Sequence, residues 1–124
     1  MLAELAALGV AVDVVDWDDA SVEWSSYWRT VIRSPWDYQD RPADFLRWLE
    51  RVEQVTDLRN PVAPMRWSLD KHYLGELAAA GVPVTPTHFV EPGGSVVFPV
   101  DGWVVKPSVG AGSRDVAAYM PGQE

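Results

Sequence analysis

Apolar residues recur along this chain with two different periods, and the pattern changes character near its middle. Residues 2–8 read as a short helix that Gly9 stops, glycine being the residue that takes the left-handed turn after a helix end. Val10 to Val15 then alternates and runs together in valine, as a buried parallel strand does, and ends in the acidic Asp16-Trp-Asp-Asp19. The stretch Ser25–Arg33 closes in a second strand that leads into Ser34-Pro-Trp-Asp37. Pro42–Glu53 is the clearest helix: Pro42 suits a first turn, and Phe45, Trp48, Leu49 and Val52 fall at i, i+3, i+4 and i+7. A short strand near Asp57–Pro61 completes a helix–strand–strand–helix–strand order, which predicts an α/β layer with a parallel sheet. In such a fold a strand ordinarily precedes the first helix. Its lack places the expected start of the domain upstream of Met1.

The second half begins differently. Residues 61–67, with two prolines, read as a linker. Ser68 is the expected N-cap of a helix over 69–80 whose apolar stripe is Leu69, Tyr73, Leu77 and Ala80, with Gly81 as its stop. Two prolines keep 82–90 extended. Glu91-Pro-Gly-Gly94 turns the chain, and Val96–Phe98 and Trp103–Lys106 read as strands, with Asp115–Met120 returning as a partner. The change of pattern sets a domain boundary near residue 65, dividing 1–65 from 66–124. So few strands and one helix bury little apolar surface, so the second domain is expected to continue past Glu124.

Composition narrows the function classes. A net charge of −8 argues against a nucleic-acid partner, since duplex binding needs a basic face, and against a polybasic membrane contact. The chain has no cysteine, which removes disulfides and thiolate metal sites. No apolar run approaches the roughly 20 residues a membrane helix needs, and the first residues lack a signal peptide's basic start. A cytoplasmic enzyme or binding module is the expectation, with pairing through exposed sheet edges as a route to homo-oligomers.

The candidate chemistry lies in Gly102-Trp-Val-Val-Lys106-Pro-Ser-Val-Gly110-Ala-Gly112-Ser-Arg-Asp115. A strand delivers a lysine, and a small-residue loop follows whose backbone amides can approach an anion closely. The lysine precedes the glycines and no Gly-Lys-Ser/Thr follows, so this is not a Walker loop. A third glycine and a following helix are missing, so it is not a dinucleotide fingerprint either. A nucleoside triphosphate site is the sharp reading, and a glycine-rich hairpin with an incidental lysine is the bland one. Lys71, in a predicted first helical turn, opposes the helix dipole; surface solvation is its bland reading. Arg33, Ser34, Trp36 and Asp37 follow a strand end, where open α/β sheets bind ligands, and guanidinium suits a carboxylate. Their bland reading is an Arg33–Asp37 surface pair with Trp36 as packing. Asp16, Asp18 and Asp19 read as a solvated turn more readily than as a metal site. His72 and His88 lack a partner that would mark them as bases, and the remaining tryptophans read as packing.

The order of these features resembles the ATP-grasp ligases. The matching stretches are Asp70-Lys71-His-Tyr-Leu, Ala79-Ala-Gly-Val-Pro-Val-Thr-Pro-Thr87 and Val104-Val-Lys106-Pro-Ser-Val-Gly-Ala-Gly-Ser-Arg-Asp115. Thr30–Tyr38 and Asn60-Pro61 resemble the Rossmann-like pre-ATP-grasp domain of the glutathione-synthetase-like branch, closest to its cycloserine-biosynthesis cyclo-ligase type. The resemblance implies that 1–65 is part of that substrate-side domain and that 66–124 opens an α+β nucleotide-binding subdomain. It implies ATP-dependent joining of a small carboxylate and an amine through an acyl phosphate. Lys71 and Lys106 would meet the nucleotide phosphates, Lys106 also nearing adenine, while Gly110, Ala111, Gly112 and Ser113 form a lid. The family's Mg2+ ligands lie in a later subdomain, so no carboxylate here is assigned to metal and no residue is assigned as catalytic. Two alternatives stand beside this reading: a non-catalytic anion- or nucleotide-binding piece, degenerate and inactive alone, and a phosphotransferase on the same fold.

Overall fold

The computed structural model describes residues 2–122. Helix α1, Leu2–Ala7, opens it, and Gly9 ends the helix at φ 74°. The stop is a paired one: Val10 N–H reaches the Leu5 carbonyl and Gly9 N–H that of Ala6, both at 3.0 Å, which satisfies carbonyls the helix end would leave open. The valine run that follows forms no strand, contrary to the expectation. Val10, Val12, Val14 and Val15 are all exposed, and β-pairing needs a neighbour's ladder, which no described segment offers them.

The first sheet is a two-stranded parallel pair, β1 (Arg29–Val31) with β2 (Asp57–Arg59), in the register Thr30 opposite Leu58. Helix α2, Pro42–Glu53, makes the crossover between them, as a parallel pair requires. Its stripe behaves as its spacing predicts: Phe45, Trp48, Leu49 and Val52 are buried. Around Phe45 stand Trp17, edge-on at 5.3 Å, and Trp48, stacked at 5.5 Å, with Tyr38 at 5.5 Å. Each such ring pair adds about 0.5–1.5 kcal/mol beyond area burial. The architecture of parallel sheet and helices is α/β.

The predicted linker is instead helix α3, Val62–Leu69. Pro61 occupies its cap and Pro64 its first turn, where no intrahelical N–H is required. Ser68 therefore lies inside a helix, its hydroxyl turned back to the Met65 carbonyl, and caps nothing. Glu53 of α2 accepts from Val62 N–H at 2.8 Å, closing one of the open donors of α3. The single helix expected over 69–80 is broken at Asp70–His72, and α4 covers only Tyr73–Ala79, ending at Gly81 with the same paired stop as Gly9.

Beyond α4 the chain is extended but unpaired until a hairpin, β3 (Trp103–Val105) antiparallel to β4 (Ala117–Tyr119). The return strand is where the sequence placed it. The strand expected at Val96–Phe98 is absent; Phe98 instead stacks on Trp103 at 4.2 Å, and Trp103 on Tyr119 at 4.1 Å. All buried hydrophobics lie between Trp17 and Leu69. Among the described residues the second half has no core of its own, and what positions it is contact with the first.

Candidate functional site

The break between α3 and α4 brings Lys71 to the glycine loop. Asp70 pairs with Val109 in an isolated antiparallel bridge, and Lys71 N–H donates to the Ser108 carbonyl at 2.9 Å. The Lys71 side chain follows the same direction, its Nζ donating to the carbonyls of Ser108 at 3.1 Å and Gly110 at 3.3 Å. Had α3 run on unbroken through 71, its backbone N–H would have been spent inside the helix.

Lys106 leaves the end of β3 and faces Lys71 across a groove of about 450 Å³, lined also by Tyr73, Leu77, Val84 and Thr87. The Lys71 ammonium is held below its ordinary pKa, first by partial burial and then by the like charge of Lys106, with Asp70 pulling weakly the other way. The like charge of Lys106 makes the Lys71 cation less stable, and an anion between the two relieves that cost. Lys106 has no hydrogen-bond or ion-pair partner among the described residues.

The loop after Lys106 needs its small residues. A Cβ on Gly110 would meet Pro107 Cγ at 2.9 Å, too close to be tolerated without movement. Gly112 and Ser113 both take left-handed backbone, φ 63° and 59°, a conformation that glycine adopts without the steric cost other residues meet. Ala111 N–H donates to Gln39 Oε1 at 2.5 Å, and Arg114 Nη1 binds both oxygens of Asp40 at 2.7 and 2.9 Å. The loop is thus fastened to the 3-10 turn Tyr38–Asp40 of the first half.

The four substrate-side candidates separate into two kinds. Asp37 is committed: Trp17 Nε1 donates to its Oδ1 at 2.8 Å and Arg41 to its Oδ2 at 2.8 Å, which hold the carboxyl below its usual range, the Trp17 bond most of all. Asp37 therefore pairs with Arg41 rather than Arg33. Arg33, Ser34 and Trp36 are exposed just past β1, with Trp36 at 67%, so Trp36 does not pack as the bland reading had it. The β1 end is fixed beneath them by Asn60, whose side chain donates to the Ile32 carbonyl at 3.0 Å and whose φ is 62°.

The acidic turn serves local structure. Asp19 accepts from Ser21, and Asp18 pairs with Arg41 at 2.8 Å. His72 stacks on Phe89 at 4.1 Å and meets Asp70 at 2.6 Å. No group of three metal-ligating side chains occurs among the described residues. Gln39, Asp40 and Arg114 escape a reading of the sequence alone. Arg114, adjoining the glycine loop, carried the only visible signal; a contact across more than seventy residues leaves none.

Two levels of likeness to known proteins sit over this geometry. In fold, the chain superposes on a crystal structure of D-cycloserine synthetase DcsG with a TM-score of 0.83 at 40% identity, over 97% of this chain and 44% of that one. In sequence, residues 1–60 match the family described as the N-terminal domain of D-cycloserine synthetase DcsG. The chain is 42% identical, over 97% of its length, to the cycloserine biosynthesis protein DcsG of Streptomyces lavendulae. It is homologous to that biosynthetic protein and spans 44% of its length. No helix among the described residues is long and apolar enough to cross a membrane.

Proposed function

We propose that this chain supplies the substrate-side layer and the phosphate-facing wall of an ATP-dependent ligase of the ATP-grasp type, acting in cycloserine-like biosynthesis. The observation that carries the reading is the pair of ammonium groups, Lys71 and Lys106, lining one groove, with Lys71 hydrogen-bonded to carbonyls of the glycine loop. A nucleotide's phosphates fit it on two grounds: Lys106 has no partner among the described residues, and its like charge weighs on the Lys71 cation. Phosphoryl transfer asks of a protein chiefly positioning and charge neutralisation.

In this reading Lys71 is oriented by the Ser108 and Gly110 carbonyls, and Lys106 is carried to the same groove by a strand. Together they neutralise the phosphate tail, with Lys106 placed also to approach the adenine side, while Gly110, Ala111, Gly112 and Ser113 cover it and exclude water. Arg33, with Ser34 and Trp36, receives the carboxylate of a small substrate at the β1 edge, and Asp37 braces that segment through Trp17 and Arg41. The chemistry proposed for the whole enzyme is phosphorylation of a carboxylate followed by attack of an amine-type nucleophile, between molecules or within one. Mg2+ would be held by residues outside this chain. Residues 1–65 and 66–124 are proposed as a substrate-side and a nucleotide-side part, with helix α3 running across the division and its Leu69 packed in the buried cluster.

The second reading, an anion-binding module without chemistry, shares the same groove and predicts binding without turnover. Calorimetric titration of ATP into the chain tests the shared part: Lys106→Ala is expected to weaken binding at least about tenfold, the effect of losing one charged hydrogen bond. Equal affinity in the variant and the parent would refute the assignment.

A further inference from the structure

We infer that Arg114 is an additional oxyanion-binding residue of the glycine loop next to this groove, and that Gln39 and Asp40 occupy the loop's anion-gripping groups until a phosphate displaces them. The inference rests on the nucleotide reading above and adds to it the residues that compete with the phosphates. Arg114 presents Nη1 to both carboxylate oxygens of Asp40, at 2.7 and 2.9 Å. A guanidinium so placed can accept a phosphate in a carboxylate's stead, since both offer adjacent anionic oxygens. Three residues earlier, Ala111 N–H is taken by the amide oxygen of Gln39 at 2.5 Å. The two contacts come from consecutive residues of one 3-10 turn, so a neutral and a charged oxygen together fill a backbone donor and a side-chain donor of one loop.

Their energies permit exchange. Asp40 and Arg114 are about half exposed, at 50% and 57%, and such surface pairs are weak, whereas a triphosphate brings more charge to the same donors. The turn that would be released follows directly on Arg33–Asp37, so phosphate binding at the loop and carboxylate binding at the β1 edge share one mechanical link. By reciprocity, whatever loosens the turn's grip favours the nucleotide.

The test is calorimetric titration of ATP, with inorganic tripolyphosphate in parallel, into the 124-residue chain and four variants. Gln39→Leu, which alters no charge, and Asp40→Asn are expected to tighten binding, each about three- to tenfold, the range of one released net hydrogen bond. Arg114→Ala is expected to weaken it about tenfold, and Lys106→Ala to weaken it as well. Thermal unfolding of the buried cluster between Trp17 and Leu69 should be nearly the same in all, because none of the four side chains belongs to it. If Lys106→Ala weakens binding while Gln39→Leu and Asp40→Asn leave it unchanged or weaker, or Arg114→Ala leaves it unchanged, the exchange is refuted and the nucleotide reading survives. If neither ATP nor tripolyphosphate binds the parent chain, both are refuted together.

Discussion

Replacing Gly110 with alanine tests whether the loop geometry, rather than its charge, makes the site. The added Cβ would stand 2.9 Å from Pro107 Cγ, about 0.5 Å short of the 3.4 Å at which ordinary contact begins. Pro107 is a closed ring and cannot swing a side chain away, so the loop itself must yield by about that amount. A hydrogen bond of about 2.9 Å stretched to about 3.4 Å lies outside the useful range, and one lost to a charged acceptor costs about 1.5–3 kcal/mol. The expected result is an ATP affinity roughly 10- to 150-fold weaker by calorimetry. Thermal unfolding should move little, because the buried cluster between Trp17 and Leu69 is untouched. Gly112→Ala is the companion: nothing stands within 4 Å of its Cβ, and only the left-handed φ of 63° is strained, at about 1–2 kcal/mol. A Gly110→Ala chain that binds ATP like the parent would show that the loop's close packing has no part in recognition.

Further outcomes follow from the core and from the charged groups. Leu49, fully buried on α2, should cost about 2–5 kcal/mol when cut to alanine, read by chemical denaturation. The ammonium of Lys71 is depressed in the folded chain, so the unfolded chain binds more protons and stability rises with pH through the interval below the ordinary lysine value. Lys106→Ala should raise the Lys71 pKa, followed by NMR of the labelled side chain. The Asp37 carboxyl is depressed, so its stabilisation is present above the ordinary aspartate pKa and is lost as pH falls through its folded value. Asp37→Asn should flatten that acid limb in a pH series of melting curves, and an unchanged limb would contradict the role given to Trp17 and Arg41.

What the sequence disclosed depended on whether a segment's partners were local. Helix α2 was legible because its four buried residues repeat with the helix period and meet a core within the same sixty residues. The Gly9 and Gly81 stops were legible because glycine alone takes their conformation freely. The hairpin and its lysine were legible because strand, loop and return strand are contiguous. The valines of 10–15 carried a strand's pattern, yet a strand also needs a neighbour, and no pattern along one segment reports that. Pro61 and Pro64 masked α3 because a proline signals a break in most contexts and a helix start in one. At the site, Lys106 and the glycines stood out as one contiguous motif, whereas Lys71 was singled out through the family resemblance. The fastening of the loop by Gln39 and Asp40 did not, because the contact closes over seventy-odd residues through side chains ordinary in any turn.

The most direct measurement of the central claim is the 31P spectrum of ATP as the chain is added. The account predicts that the β- and γ-phosphate resonances shift and broaden, that the effect saturates, and that it vanishes for the Lys71→Ala, Lys106→Ala double variant with the fold intact. Phosphate resonances that stay unmoved at saturating chain, or that move equally for the double variant, would contradict it.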